Sequence, residues 1–108
     1  MPPLKPRDHR ISLTDASAHT RRHRGTMRGK AKHGDHAGAF HGDQVMALLK
    51  QPGCVALRIY HGRNEKRRRS MILVGVDKDG NDLTAGTLME LCWPCPPYCG
   101  ADSPLNKG

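Results

Sequence analysis

The chain has 108 residues, only 36% of them apolar, with one Phe, one Trp and two Tyr, which is material for one small domain with a thin core. A formal charge of +8 suits anionic partners such as nucleic acid, phosphates or an acidic protein face, but a solvated basic surface is the plainer reading and outweighs nucleic acid. No stretch approaches the roughly 20 apolar residues of a membrane span. Met1-Pro2-Pro3-Leu4-Lys5-Pro6 also lacks the apolar run of a secretory signal, so a cytoplasmic, reducing location is the expectation.

Residues 1–10 carry three prolines and no apolar period, which predicts a disordered lead. Ser12 is placed to cap a helix, with Asp15 at its third position and Ile11 and Ala16 forming a hydrophobic staple. That helix should run to Arg24 and stop at Gly25. Its apolar face (Leu13, Ala16, Thr20) is thin, so packing must hold it. Thr26 to Gly38 shows no usable period and predicts a loop or a frayed helix. Asp43 opens a second helix with Val45, Met46, Leu48 and Leu49 on one face, closed by Pro52-Gly53.

Two β-rich runs follow, Cys54–Tyr60 and Met71–Val76, bounded by Pro52-Gly53 and by the turn Asp77-Lys78-Asp79-Gly80. They predict an antiparallel ribbon joined by a basic link. Val55, Leu57 and Ile59 should share the buried face of the first strand; the second is apolar on both faces and suits a central position. Two strands are not stable alone, so the ribbon needs a helix across it and invites a partner subunit's strand beside it. Thr84 then caps a short helix carrying Leu88, Met89 and Leu91, and a Pro/Cys-rich segment closes the chain. The expected fold class is α+β: N-terminal helices packed on a short antiparallel ribbon, one domain over 11–100, and a flexible tail over 101–108.

Four motifs bear on chemistry. Asp77, Asp79 and Asn81 begin like a calcium loop, but the sixth and twelfth places hold Asp82 and Leu88, so a tight turn is the reading. Cys92-x2-Cys95-x3-Cys99 has metal-ligand spacing, and zinc would be the cofactor such thiolates take, with Cys54 or His61 as the fourth ligand. The same cysteines could form a disulfide or stay as free thiols in a packed tail, and the spacing leaves all three open. His19 and His23 share a helix face without the Glu of a metalloprotease pattern, and the arginines beside them favour a solvated basic face. Arg21, Arg22, Arg24, Arg67, Arg68 and Arg69 are the candidates for gripping phosphates. They lack interleaved aromatics and a helix-turn-helix signature, so nucleic-acid binding through them would be non-specific and salt-dependent. No signature sets a Cys, a His and an orienting carboxylate together, and a core this small is not expected to hold a pocket unless an oligomer builds it.

Taken jointly, Gln51-Pro52-Gly53-Cys54-Val55, Arg58-Ile59-Tyr60-His61-Gly62, Leu73-Val74-Gly75-Val76-Asp77, Gly80-Asn81-Asp82-Leu83 and Pro94-Cys95-Pro96-Pro97-Tyr98-Cys99 resemble a family of small, uncharacterised bacterial proteins with no established activity. Ile11-Ser12-Leu13 and Arg22-His23-Arg24 fit the same pattern, so the resemblance covers roughly 11–100. It implies that Cys54, Cys95, Cys99, His23 and His61 belong to the pattern; Cys92 fits it less well, which shifts weight to Cys95 and Cys99, and His33, His36 and Arg67-Arg68-Arg69 depart from it. The first functional expectation is a non-enzymatic binding or assembly module, a homo-oligomer or the partner of another protein. The second is a zinc or thiol-redox protein using Cys95 and Cys99, and the third is nucleic-acid binding.

Overall fold

A computed structural model describes residues 3–27 and 31–107. Parts of the expected lead, of the basic loop (Arg28, Gly29 and Lys30) and of the tail lie outside the described residues. The fold is α+β, in the order α1 (Leu13–Gly25), β1 (Ala37–Ala39), α2 (Gly42–Leu49), β2 (Ala56–Arg63), β3 (Arg69–Val76), β4 (Leu88–Met89) and β5 (Trp93–Cys95). Among the described residues no helix is long and apolar enough to cross a membrane.

The ribbon is present and longer than its apolar runs. β2 and β3 pair antiparallel over eight residues each, from Ala56↔Val76 to Arg63↔Arg69. The basic link therefore shrinks to 64–68. Asn64 ties it: its N–H donates to Arg68 O at 2.9 Å, and its Oδ1 accepts from Lys66 N and Arg68 N at 2.9 and 3.0 Å. Continuing the ladder through His61, Arg63 and Arg69 moves these polar residues from a loop onto a sheet.

β3 is the central strand of the order β2-β3-β4, which is why it tolerates apolar residues on both faces: Leu73, Val74 and Val76 are all buried. β2 is an edge. Its expected buried face does not form, since Val55 and Ile59 are exposed and Leu57 is half-buried. The short helix expected after Thr84 is a correction. Leu88 and Met89 pair with Val74 and Leu73 as β4, and Leu91 lies in the left-handed region at φ 58°. Two influences override the local pattern. The free side of β3 offers unpaired backbone groups, and Gln51 Oε1 accepts from Thr87 N at 2.7 Å, fixing an extended entry. The other end of the same side chain donates from Nε2 to Leu48 O at 2.8 Å, so Gln51 clamps the end of α2 to the β4 entry.

α1 begins where the cap signal put it, with Ser12 Oγ accepting from Asp15 N at 3.1 Å. Its last turn carries Arg22, His23 and Arg24, favourable to the helix dipole. α2 starts at Gly42 and buries Leu48 completely. The segment read as periodless runs into β1, which pairs antiparallel with β5 in a second, two-stranded sheet: Ala37↔Cys95, Gly38↔Pro94, Ala39↔Trp93. Neither strand announces itself in sequence, one being Ala-Gly-Ala and the other holding a proline. The turn at Asp77–Asn81 is tight, with Asp77 Oδ1 accepting from Asp79 N and Asn81 N and Gly80 at φ 85°.

Candidate functional site: a histidine- and arginine-lined cleft

The cleft is built where four pieces of chain meet at the turn end of the ribbon. Side chains alternate along a strand, so His61 and Arg63 of β2 share a face with their cross-strand partners Met71 and Arg69 of β3. The loop into β1 lies over this end, and the Asp35 carboxylate pairs with the Arg69 guanidinium, Oδ1 standing 3.3 Å from Nε. The Asp35 side chain is only 15% exposed and is held in place by Lys32 N, which donates to Oδ2 at 2.5 Å. The last turn of α1 reaches the same loop, with His23 Nε2–H donating to Asp35 O at 2.8 Å and the His23 and His36 rings meeting edge to face at 5.5 Å.

The C-terminal segment supplies the remaining wall. Cys95 and Cys99 are joined in a disulfide, with the Cys95–Pro96 and Pro96–Pro97 bonds both cis. Cys95 O and Pro96 O accept from His36 N and Gly34 N, each at 2.9 Å. Beyond the disulfide, Asn106 Nδ2 donates to Cys99 O and Ala101 O at 2.9 and 3.0 Å, and Arg24 Nη1 donates to Leu105 O at 2.8 Å. Together these surfaces enclose about 870 Å³, inside the range of small-molecule sites. The expectation that one chain could not hold a sizeable pocket is thereby corrected. A thin core does not forbid a cleft when loops, rather than core side chains, make the walls.

The structure separates the residues singled out by sequence into different places. Cys95 is buried and Cys99 half-buried, and the bond between them occupies both thiols. Cys92 is a free, half-buried thiol packed beside Gly38, and burial pushes it above the usual thiol range. Cys54 is also free, with its Sγ donating to Ala56 O at 3.3 Å, far along β2 from the cleft. His61 is exposed on the cleft face. Among the described residues no three His, Cys, Asp or Glu side chains come together as a group that could hold a metal ion. Of the six arginines read as a phosphate grip, Arg24 and Arg69 line the cleft, Arg21 and Arg22 stay exposed on α1, and Arg67 and Arg68 sit in the ribbon turn. His23, read as part of a solvated face, is half-buried and bonded. His36 was missed as a site residue, and its only sequence signal was its closeness to the other histidines.

His36 Nδ1 is buried and has no hydrogen-bond partner among the described residues. Burial, then the neighbouring His23, holds the His36 value below 6.5 despite the pull of Asp35. The unfolded chain therefore binds more protons as pH falls through 6.5, and stability drops with pH there. A second loss comes from Asp82, which accepts from Tyr60 Oη–H and, at 2.5 Å, from Arg58 Nη1. The Tyr60 hydroxyl first, and Arg58 with it, hold its carboxyl below 3.8, so its contribution is lost as pH falls below that value. Denaturant midpoints measured against pH should show two separate declines, with His36→Phe removing the upper one. An unchanged upper decline in that variant would contradict the assignment.

Comparison with protein-family models, with curated proteins and with solved structures gives no match to this chain. The geometry alone carries the functional argument.

Proposed function

We propose that this protein is a non-enzymatic binding module whose ligand occupies the cleft between α1, the turn end of the ribbon and the disulfide-closed C-terminal segment. The observation that carries this reading is the cleft itself, about 870 Å³ in a chain with so few buried apolar residues. Its lining mixes polar side chains such as His61, Arg63, Arg69 and Asn106 with the apolar Ala37, Ala39 and Met71, the mixture that orients a small organic ligand. The binding reading is favoured over a nucleic-acid one because the candidate arginines divide between cleft, helix and turn instead of forming one stripe. It is favoured over a zinc site because Cys95 and Cys99 spend their thiols on each other.

A panel of anionic, neutral and cationic small molecules, scored by thermal shift and mapped by amide NMR, tests the proposal. At least one class should raise the midpoint and perturb residues 61–63 and 69–71 together with 34–39. A panel with no binder at those positions would remove the reading.

Assembly through β2 is a second reading with its own support. This edge strand is eight residues long and exposes Ile59 and Tyr60 beside Val55, and an uncovered edge of that length templates pairing with another strand. Homo-oligomerisation by β2 against β2 would cover it. Sedimentation should then show a concentration-dependent dimer that Ile59→Lys shifts to monomer; a wild-type monomer at high concentration would exclude it. A Cys95–Cys99 disulfide suits an oxidising compartment.

A further inference from the structure

We infer that the cleft takes a small molecule with a compact anionic head, phosphoryl or carboxylate, seated at the turn end of the ribbon between Arg63 and Arg69 with His61 beside them. The inference rests on the cleft being a ligand site, as proposed above. Arg63 and Arg69 are direct cross-strand partners. Like charges placed opposite one another in an antiparallel pair repel and destabilise it, so a group that offsets the charge is favoured there. Part of the offset is internal: Asp35 takes Arg69 Nε, and Arg67 O accepts from Arg63 Nη1 at 3.2 Å.

Those bonds leave most guanidinium donors of both arginines unused among the described residues. Among the described residues Asp35 is the only carboxylate on the cleft wall, and it is already shared between Lys32 N and Arg69, so the described lining is net positive. His61, one alternation along β2 on the same face, makes no side-chain hydrogen bond among the described residues and adds a donor at the same end. Guanidinium forks from two facing strands match the spread oxygens of a phosphoryl or carboxylate group, which would bridge them and relieve the repulsion. The rest of the cleft, lined by Ala37, Ala39 and Met71, leaves room for an organic body behind the head.

The test is titration calorimetry at low salt in a non-phosphate buffer, with inorganic pyrophosphate, citrate and a neutral sugar as probes. One or both anions should bind saturably and the sugar should not. The tighter of the two anions identifies the head as phosphoryl or carboxylate. Arg63→Gln should weaken that binding by about tenfold, the loss of one charge-assisted contact. Lys66→Gln combined with Arg68→Gln, in the turn outside the cleft, should change it by no more than about twofold. An equal loss in the turn variant would mean diffuse surface attraction and overturn the inference. If neutral molecules occupy the cleft and neither anion does, the anionic class fails while the cleft reading survives. If nothing of any charge maps to the cleft, both fail.

Discussion

Leu48→Ala should cost about 2–5 kcal/mol, the range for emptying a fully buried leucine site, a large share of the stability of so small a domain. Leu48 is wholly buried, and with Leu73, Val74, Val76 and Cys95 it makes up the buried apolar core. A domain of this size has a total stability of about 5–15 kcal/mol, and a core drawn from so few residues sits at the low end. α2 packs on β3, and the pairing of this strand on both sides limits how far the site can collapse into the gap. Urea denaturation checks the value. A loss under about 1 kcal/mol would mean that the helix can re-seat another side chain, against the account of the core.

The second large effect falls at Gly38, whose place in β1 against β5 lets the segment at Cys92 approach closely. A Cβ there would stand 2.5 Å from Cys92 Sγ, 2.9 Å from Cys92 Cβ and 3.0 Å from Met71 Sδ. Gly38→Ala should therefore cost about 1–3 kcal/mol through overpacking. Removing the sulfur should recover part of it, so Gly38→Ala in a Cys92→Ala background is expected to be less destabilising than in the wild type. Gly38 is also part of the cleft wall, so the displaced β1 should loosen any ligand even in the fraction that stays folded. Simple additivity of the two changes would show that Cys92 does not occupy the space described.

The ribbon, the cap at Ser12 and the helix before Pro52 could be read from sequence because each rests on local chemistry: alternation, a side-chain oxygen facing a free N–H, and a backbone breaker. The β1–β5 sheet could not. Ala37-Gly38-Ala39 has no β-branched or aromatic residue, and its strand character comes only from Trp93-Pro94-Cys95 lying beside it. The same holds for 84–91, where a helical spacing of Leu88 and Leu91 yields to pairing with β3 and to the grip of Gln51.

The site was legible in parts but not as a whole. His61, Arg24, Arg69, Cys95 and Cys99 were each singled out, for a metal or for nucleic acid, and all line one cleft. What sequence could not supply was register. The basic link after Tyr60 reads as a loop, whereas the ladder runs on through it and sets Arg63 opposite Arg69. Asp35 and His36 carried no motif at all, because their role depends on the loop before β1 closing over that end. A disulfide was one of three states open to Cys95 and Cys99, and only their proximity decides it.

Amide NMR during a titration with inorganic pyrophosphate tests the central claim most directly. The account predicts saturable shifts at residues 61–63 and 69–71 accompanied by shifts at 34–39 and 103–106, four stretches that meet only at the cleft. Shifts confined to the basic turn at 64–68, or spread over every exposed arginine without saturating, would contradict it.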